Sequence, residues 1–217
     1  MANNFYNAVV RNLSSDSGLP TAVYTTPNGL KSILIELDVS NKSSAGVTVT
    51  VQLEDESLNE SGGDAHTVTV ATGVTGLITT TNAAAHNLII NDRVVFGGTA
   101  SSFTDASLPA SGETVVSATR MYYVQSKPST STFTIAETRS GTLLTFDTTG
   151  SSVVFTKIHL ADMVKDAPVP VGGALKVISG QKLVLQSDSS GVNDKVYAYA
   201  SAASACDAIG SVLQEVS

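Results

Sequence analysis

Residues 31–53, KSILIELDVSNKSSAGVTVTVQL, decide the fold class of this chain. Apolar and polar residues alternate twice in this stretch, over 31–41 and again over 46–53. A period of two residues is typical of strands that bury one face. The apolar face of the first strand is then Ile33, Ile35, Leu37 and Val39, and that of the second is Val47, Val49, Val51 and Leu53. The turn-forming residues 41–45 lie between them, so the pattern predicts a β-hairpin.

Short runs of the same kind recur along the whole chain, and none shows a sustained helical periodicity. In the outer segments the predicted strands are 8–12, 21–26, 175–178, 183–186, 195–200 and 211–216. In the middle of the chain they are 66–71, 77–80, 93–96, 121–125, 133–136, 143–146 and 153–157. Residues 202–209 are the one place where a short helical turn is considered. The sequence therefore predicts an all-β protein, an antiparallel, jelly-roll-like β-sandwich.

A change of composition near Glu54 divides the chain. Residues 54–64 are acidic, contain Gly and Ser, and show no periodicity, which predicts an exposed linker. Residues 166–173 contain two prolines and a Gly pair, which predict an extended loop. We expect residues 1–58 and 159–217 to form an outer β-sandwich attachment domain, with residues 65–157 inserted as a small β-barrel or sandwich. One continuous sandwich is the alternative.

Charge and composition exclude several classes of function. Only 14% of the 217 residues are charged, the net charge is −7, and the twelve Lys and Arg residues are scattered singly. Nucleic-acid binding needs clustered positive charge, so we expect no nucleic-acid partner. No apolar run approaches the roughly 20 residues that span a bilayer, so no membrane partner is expected. The N-terminal residues show no secretion signal, and assembly in a cytoplasm is predicted.

No catalytic, cofactor or metal site is predicted. His66, His86 and His159 are not spaced so that two imidazoles converge on one face, and His86 is interpreted as a turn residue whose ring bonds loop backbone. Three adjacent carboxylates, at positions 54–56, lie in the predicted linker and should be hydrated. They are therefore not expected to form the cleft-bound pair of a glycosidase.

Three weaker signals also have structural interpretations. Residues 188–194 resemble a calcium loop only loosely, because they lack alternating ligand positions and a bidentate Glu, and a hairpin turn between 183–186 and 195–200 explains them. The serines include no Gly-x-Ser-x-Gly elbow. The single cysteine, Cys206, excludes an intramolecular disulfide and is interpreted as a small buried hydrophobe.

Two sets of motifs resemble proteins of tailed-bacteriophage particles. In the middle segment the order is AHNLIINDRVVF at 85–96, Leu-Pro at 108–109, YYV at 122–124 and TFTIA at 132–136. This order resembles a small β module that recurs inside tailed-phage virion proteins. The outer segments contain YTTP at 24–27 and PVPVGG at 168–173, which resemble small phage virion proteins.

The resemblance implies a non-enzymatic virion structural protein, foremost a capsid decoration or cement protein bound to the major capsid protein. Such proteins work as homo-oligomers, and a trimer is the expected state. A neck or tail adaptor or collar ring, bound to neck or tail proteins, is the alternative. A receptor- or glycan-binding module is the second alternative, in which Tyr122 and Tyr123 would supply a stacking face.

Two short segments are candidate anchors for the partner. Phe5 and Tyr6 place aromatic bulk in a polar N-terminal stretch, where an isolated domain has little use for it. The second segment is the proline-containing loop. The predicted interface residues are Phe5, Tyr6, Pro168, Val169, Pro170 and Val171. Packing of Phe5 and Tyr6 on their own domain is the alternative.

Overall fold

The computed structural model describes residues 4–70, 76–98, 116, 119–146, 153–188 and 191–214. These residues form fifteen strands that pair in antiparallel ladders, together with two 3-10 turns at Glu56–Leu58 and Thr81–Ala83, and they include no α-helix. The all-β prediction is confirmed. The strands are β1 Asn4–Val10, β2 Thr21–Thr25, β3 Lys31–Asn41, β4 Val47–Glu54, β5 Thr67–Val70, β6 Ile78–Thr80, β7 Arg93–Gly98, β8 Tyr122–Ser126, β9 Thr132–Ala136, β10 Val153–Ile158, β11 Leu160–Val169, β12 Ala174–Ile178, β13 Leu183–Gln186, β14 Lys195–Ala200 and β15 Cys206–Gln214.

The chain divides into two compact units. Unit 1 consists of Met1–Leu58 and His159–Ser217, and unit 2 consists of Asn59–Ile158. Inside unit 1, β4 and β11 are antiparallel neighbours and Glu54 pairs with Leu160. The two strand ends next to the intervening segment are therefore adjacent in space, as an insertion requires.

Unit 1 is a sandwich of two antiparallel sheets. Sheet A has the strand order β1-β15-β3-β12, with β13 also pairing with β3, and sheet B has the order β11-β4-β14-β2. β12 and β13 both pair with β3, so they occupy one strand position. The eight positions of unit 1 then pair from the outside inward: β1 with β15, β2 with β14, β3 with β12 and β13, and β4 with β11. This nested pairing is the topology of a jelly roll.

The inward faces of the two sheets form one core. On β4, Val47, Val49 and Val51 are buried in it and the threonines between them face outward, as the alternation predicts. The predicted hairpin is wrong, however, because β3 lies in sheet A and β4 in sheet B. Alternation specifies that a strand buries one face, and two strands that share a core satisfy that requirement equally well from opposite sheets.

A bulge in β3 changes which of its residues face the core. Ser211 of β15 pairs with Glu36 and the next residue, Val212, pairs with Leu34, so Ile35 has no partner in the ladder. An extra residue of this kind shifts the alternation by one position. Leu34 and Leu37 are buried, whereas Ile33 and Ile35 are half-buried and absent from the core. The prediction that Ile33 and Ile35 share a face with Leu37 is therefore wrong.

Two segments predicted to be irregular are strands. Residues 160–169 form β11, including part of the predicted 166–173 loop. Pro168 is tolerated because β11 lies at the edge of sheet B, and two register shifts in its pairing hide the alternation. Residues 206–209, considered for a helical turn, begin β15.

Unit 2 is a closed six-stranded barrel with the order β10-β5-β6-β9-β8-β7. Its core is rich in aromatic side chains, and the rings of Phe133 and Phe155 meet edge to face with centroids 5.1 Å apart. The predicted strand at 143–146 does not form a ladder strand: Leu143 bridges to Ala136, and Phe146 is a second bridge residue. The Leu-Pro motif at 108–109 lies outside the described residues.

Candidate interaction surface

His86 is a structural residue of the barrel. The backbone N–H of Leu88 donates to its Nδ1 at 3.0 Å, and its Nε2 lies 3.3 Å from the carbonyl oxygen of Thr132. Nδ1 therefore accepts and Nε2–H donates, which defines a neutral imidazole. Burial lowers the pKa of His86 below its ordinary value, which favours the same form. Both ring nitrogens bond backbone, Nδ1 in the loop at Leu88, as the sequence predicts, and Nε2 at the first residue of β9.

The other histidines do not assemble a reactive site in the described structure. His66 places Nδ1 2.8 Å from the carbonyl oxygen of Gly62, and its ring contacts Phe155 with centroids 4.9 Å apart. His159 begins the second segment of unit 1. Among the described residues, no group of three or more His, Cys, Asp or Glu side chains is placed to hold a metal ion.

The carboxylates at the end of β4 bind a lysine. Lys195 Nζ lies 3.5 Å from Oε2 of Glu54 and 3.1 Å from Oε2 of Glu56. Glu56 Oε2 also accepts a hydrogen bond from the backbone N–H of Asn193 at 2.6 Å. Glu54 is buried, so the prediction that it is hydrated is wrong. Burial, together with the Glu54 carboxylate, raises the pKa of Tyr197. This arrangement ties the end of β4 to the start of β14.

In the acidic loop before β14, the carboxylates accept hydrogen bonds from backbone N–H groups of the loop and of the adjoining strand. Asp188 Oδ1 accepts from the N–H of Val192 at 3.0 Å, and Asp194 Oδ2 accepts from the N–H of Gln186 at 2.8 Å. These bonds are typical of a tight connection. The predicted hairpin is nevertheless wrong, because β13 pairs in sheet A and β14 in sheet B, so the loop crosses between the sheets.

Tyr122 and Tyr123 are both buried in unit 2. The guanidinium carbon of Arg93 lies 4.5 Å from the centroid of the Tyr123 ring. A stacking platform for a sugar must be open to solvent, so the prediction that this pair supplies one is wrong. Tyr122 packs in the core of the barrel, and Tyr123 packs against Arg93.

The outward face of sheet A carries a surface that the sequence did not predict as a whole. One row of register partners crosses four strands, because Phe5 pairs with Leu213, Leu213 with Ile33, and Ile33 with Val184. A second pair, Val9 and Ile209, lies on the same face. Together with Ile35, these side chains form the outer apolar surface: Phe5, Val9, Ile33, Ile35, Val184, Ile209 and Leu213.

Four of these seven side chains are largely open to solvent. Phe5 is 61% exposed, Val9 and Val184 are each 55% exposed, and Ile209 is 48% exposed. Ile33, Ile35 and Leu213 are half-buried. An antiparallel sheet that covers a core on one face normally presents polar residues on the other. The outward face of sheet A departs from that rule over several strands.

Sheet B follows the rule and provides the contrast. Its outward face is a network of polar side chains, in which Gln52 Nε2 donates to Asp162 Oδ1 at 2.6 Å and Thr50 Oγ1 donates to Asp166 Oδ1 at 3.3 Å. These bonds join polar groups of β4 and β11, and of the Gln52 amide it is Nε2 that bonds, whereas the buried Oε1 has no hydrogen-bond partner among the described residues. The two faces of the sandwich therefore differ in chemistry. The outward face of sheet A carries the outer apolar surface beside polar and charged side chains, among them Glu36 and Lys176, whose Oε1 and Nζ lie 2.7 Å apart.

The predicted anchors Phe5 and Tyr6 belong to β1 and do not form a free arm. Phe5 faces outward, whereas Tyr6 packs against the core of unit 1 and its hydroxyl lies 3.3 Å from that of Tyr24. The alternation of β1 separates the two side chains onto opposite faces. Of this pair, only Phe5 is placed to contact a partner.

The predicted anchors at 168–171 are divided in the same way. Pro168 and Pro170 are exposed and Val171 is 58% exposed, but Val169 is 1% exposed and lies in the core. Gly173 N–H donates to the Pro170 carbonyl oxygen at 2.9 Å and Gly172 has a φ of 66°, which makes residues 170–173 a type II turn with Val171 at its tip.

Asn41 fixes this turn from inside the sandwich. Its Nδ2 lies 2.8 Å from the carbonyl oxygen of Ala45, 3.0 Å from that of Val169 and 3.2 Å from that of Pro170. Its backbone N–H donates to the Gly173 carbonyl oxygen at 2.9 Å. Val171 is therefore an exposed apolar side chain on a firmly held backbone.

The sequence contains a signal for the residues that were missed. Ile33-Leu34-Ile35 and Leu183-Val184-Leu185 are runs of three consecutive apolar residues, so both faces of those strands must be apolar. Such a run predicts either a strand buried on both faces or a second apolar face available to a partner.

Comparisons of the chain with protein-family models, with curated proteins and with solved structures gave no match. In the part of the chain that the structure describes, no helix has the length and apolarity needed to cross a membrane.

Proposed function

We propose that this chain is a non-enzymatic structural protein of a tailed-phage virion that binds the particle exterior as a capsid decoration or cement protein. The observation that carries the proposal is the outer apolar surface on sheet A. A large exposed apolar patch on a folded domain marks a surface that meets another protein. The resemblance of the sequence motifs to phage virion proteins supports the identity of that protein as a virion component.

The fold of unit 1 is compatible with this role. Jelly rolls occur in viral capsid domains, and also in lectins and cupins, so the topology alone assigns no function. The features that favour assembly are particular to this chain. They are the outer apolar surface and the exposed Val171 on its rigid turn.

The area of the outer apolar surface is sufficient for a modular contact. The exposed fractions of its side chains add to roughly 400–500 Å² of apolar area, at the scale of the largest patches on single domains. Burial of that area gives about 10–12 kcal/mol of gross hydrophobic free energy. The cost of association is on the order of 4–15 kcal/mol, so burial of the surface offsets much of that cost. Burial of Val171 contributes further favourable free energy. Binding then stabilises the particle by mass action.

The proposal is tested by particle composition. Phage are produced with a tagged copy of this gene in place of the native one, purified through a density gradient and analysed by quantitative mass spectrometry. Hundreds of copies per particle are expected for a decoration protein. About a dozen copies would identify the adaptor or collar ring instead. Absence from purified particles, with the protein left in the soluble lysate, would refute a virion role.

A matched pair of variants tests the surface. Val184→Lys places a charge in the outer apolar surface, and Ala203→Lys places the same charge on an exposed loop of the same unit. We expect V184K to lower occupancy on the particle and A203K to leave it unchanged, because only the first buries a charge on binding. Equal occupancy of both variants would contradict the assignment of this surface.

The receptor- or glycan-binding alternative has lost its candidate platform, since Tyr122 and Tyr123 are buried. A glycan array probed with the full chain distinguishes the two functions. Specific binders together with absence from the particle would favour the alternative.

A further inference from the structure

Strand β1 is an unguarded edge of sheet A. It pairs with β15 over all seven residues, Asn4 to Val10, without a register shift, and no other described strand pairs with its second side. The backbone N–H and C=O groups on the free side of an edge strand are a template for pairing with another chain. Natural proteins normally block such edges with short strands, bulges, prolines or charged side chains.

The other edge strands of unit 1 carry those blocking features. β11 contains Pro168 and pairs through two register shifts, and β2 has five residues with a shift in its pairing. β12 has five residues, a shift and an exposed Lys176, and β13 has four residues. β1 has none of these features, because its sequence NFYNAVV has neither proline nor charge. Among the described edges it alone is suited to pairing.

The chemistry of β1 fits a second copy of the same chain. In a protein with a net charge of −7, two copies repel one another least where they meet at an uncharged segment. The outward side chains also follow a symmetric order, with the exposed Phe5 and Val9 on either side of the polar Asn7. A contact between identical chains across a two-fold axis requires a surface complementary to itself. In an antiparallel pair centred on Asn7, Phe5 of one copy lies beside Val9 of the other.

We propose that β1 is a self-association edge, on which β1 of a second copy pairs antiparallel across a two-fold axis, so that two copies of sheet A become one continuous sheet. The backbone of β1 supplies the hydrogen bonds, and the Phe5–Val9 neighbours on the outward face supply apolar contact. The two-fold pair replaces the trimer as the expected state of the protein. The inference deepens the proposed assembly role, on which its biological meaning rests.

The test is the molar mass of the purified full chain, measured by sedimentation equilibrium from low to high micromolar concentration. The wild type should approach twice 22.3 kDa. Val9→Lys should remain monomeric, with a dissociation constant raised at least about tenfold, because a lysine on an edge strand blocks pairing. Val184→Lys is the matched control, since Val184 has the same exposure and lies on the same face of sheet A, at the opposite side. V184K should dimerise like the wild type.

A complementation experiment separates a lost interface from a lost fold. Phe5→Glu and V9K should each be monomeric alone and should form a mixed dimer when combined. The register places position 5 of one copy beside position 9 of the other, so the new carboxylate lies beside the new ammonium group. Circular dichroism of all variants should match that of the wild type. A wild type that is monomeric at every concentration, a trimer, an equal effect of V184K, or absence of the mixed dimer would each overturn the proposal.

The outcome is independent of the virion test. A dimer that is absent from purified particles would sustain the β1 interface and refute the proposed function. A monomer that occupies particles at high copy number would refute the β1 interface and leave the proposed function in place.

Discussion

Replacement of Asn41 by alanine should destabilise unit 1 by about 3 kcal/mol. The side chain is buried, its Nδ2 serves three carbonyl oxygens, and its Oδ1 accepts from the N–H of Ser43 at 2.8 Å. Two amide hydrogens shared among three acceptors amount to about two full bonds. Each contributes about 1 kcal/mol, and loss of the bond from the Ser43 N–H to Oδ1 costs about 1 kcal/mol more.

Asn41→Asp should be worse than N41A at neutral pH, because it keeps the acceptor for Ser43 but directs an anionic oxygen at three carbonyls. Ser40→Ala is the control. Ser40 precedes Asn41, and its Oγ makes only a 3.4 Å contact with the Asp207 carbonyl oxygen, so a change below about 0.5 kcal/mol is expected.

The assay is amide hydrogen exchange of the β4 core, at Val49 and Val51, which reports the unfolding free energy of unit 1 alone. Such a local probe is needed because the chain has two units and no tryptophan. An exchange free energy of N41A within about 0.5 kcal/mol of the wild type would refute the reasoning that Asn41 holds the 170–173 turn.

Three further predictions concern buried polar groups. The pKa of His86 is lowered in the folded barrel, so the unfolded chain binds a proton at a higher pH than the folded one. The stability of unit 2 should therefore be full above the ordinary pKa of about 6.5 and should fall as the pH drops below it. His86→Gln should remove that part of the pH dependence, as measured by amide exchange in β8. Lys195→Met should destabilise unit 1 by about 2–3 kcal/mol, because it removes the cation between the Glu54 and Glu56 carboxylates; this is somewhat below the cost of breaking a fully buried pair, and the same amide exchange at Val49 and Val51 measures it. Cys206 is buried with a raised pKa, so Ellman's reagent should label it only after denaturation, and fast labelling of the native protein would contradict its placement.

The strands themselves could be predicted because alternation is a local property. Consecutive residues determine which face of β4 is buried and where the strands at 183–186 and 195–200 lie. The structure places all three as the pattern predicts. The sheet to which each strand belongs depends on pairing between distant segments. Alternation in β3 and β4 carries no information about it, and the predicted hairpin is wrong for that reason.

The errors within strands have equally definite causes. A one-residue bulge at Ile35 reverses the face of Ile33, and nothing in the sequence around it marks the bulge. β11 was missed because its charges and Pro168 belong to an edge strand, where half-burial and two register shifts erase the period. Among the predicted anchors, Phe5 and Val171 are exposed, whereas Tyr6 and Val169 turn inward because neighbours on a strand face opposite ways.

The central claim is that the outward face of sheet A is covered by virion protein when the particle is assembled. Hydroxyl-radical footprinting of Ile209 and Val184, in the free protein and in purified particles, tests it most directly. Both side chains are about half exposed in the free chain, and their oxidation should fall several-fold on assembly if contact excludes water from this face. Equal oxidation in the two states would show that the outer apolar surface stays open to solvent and would contradict the account.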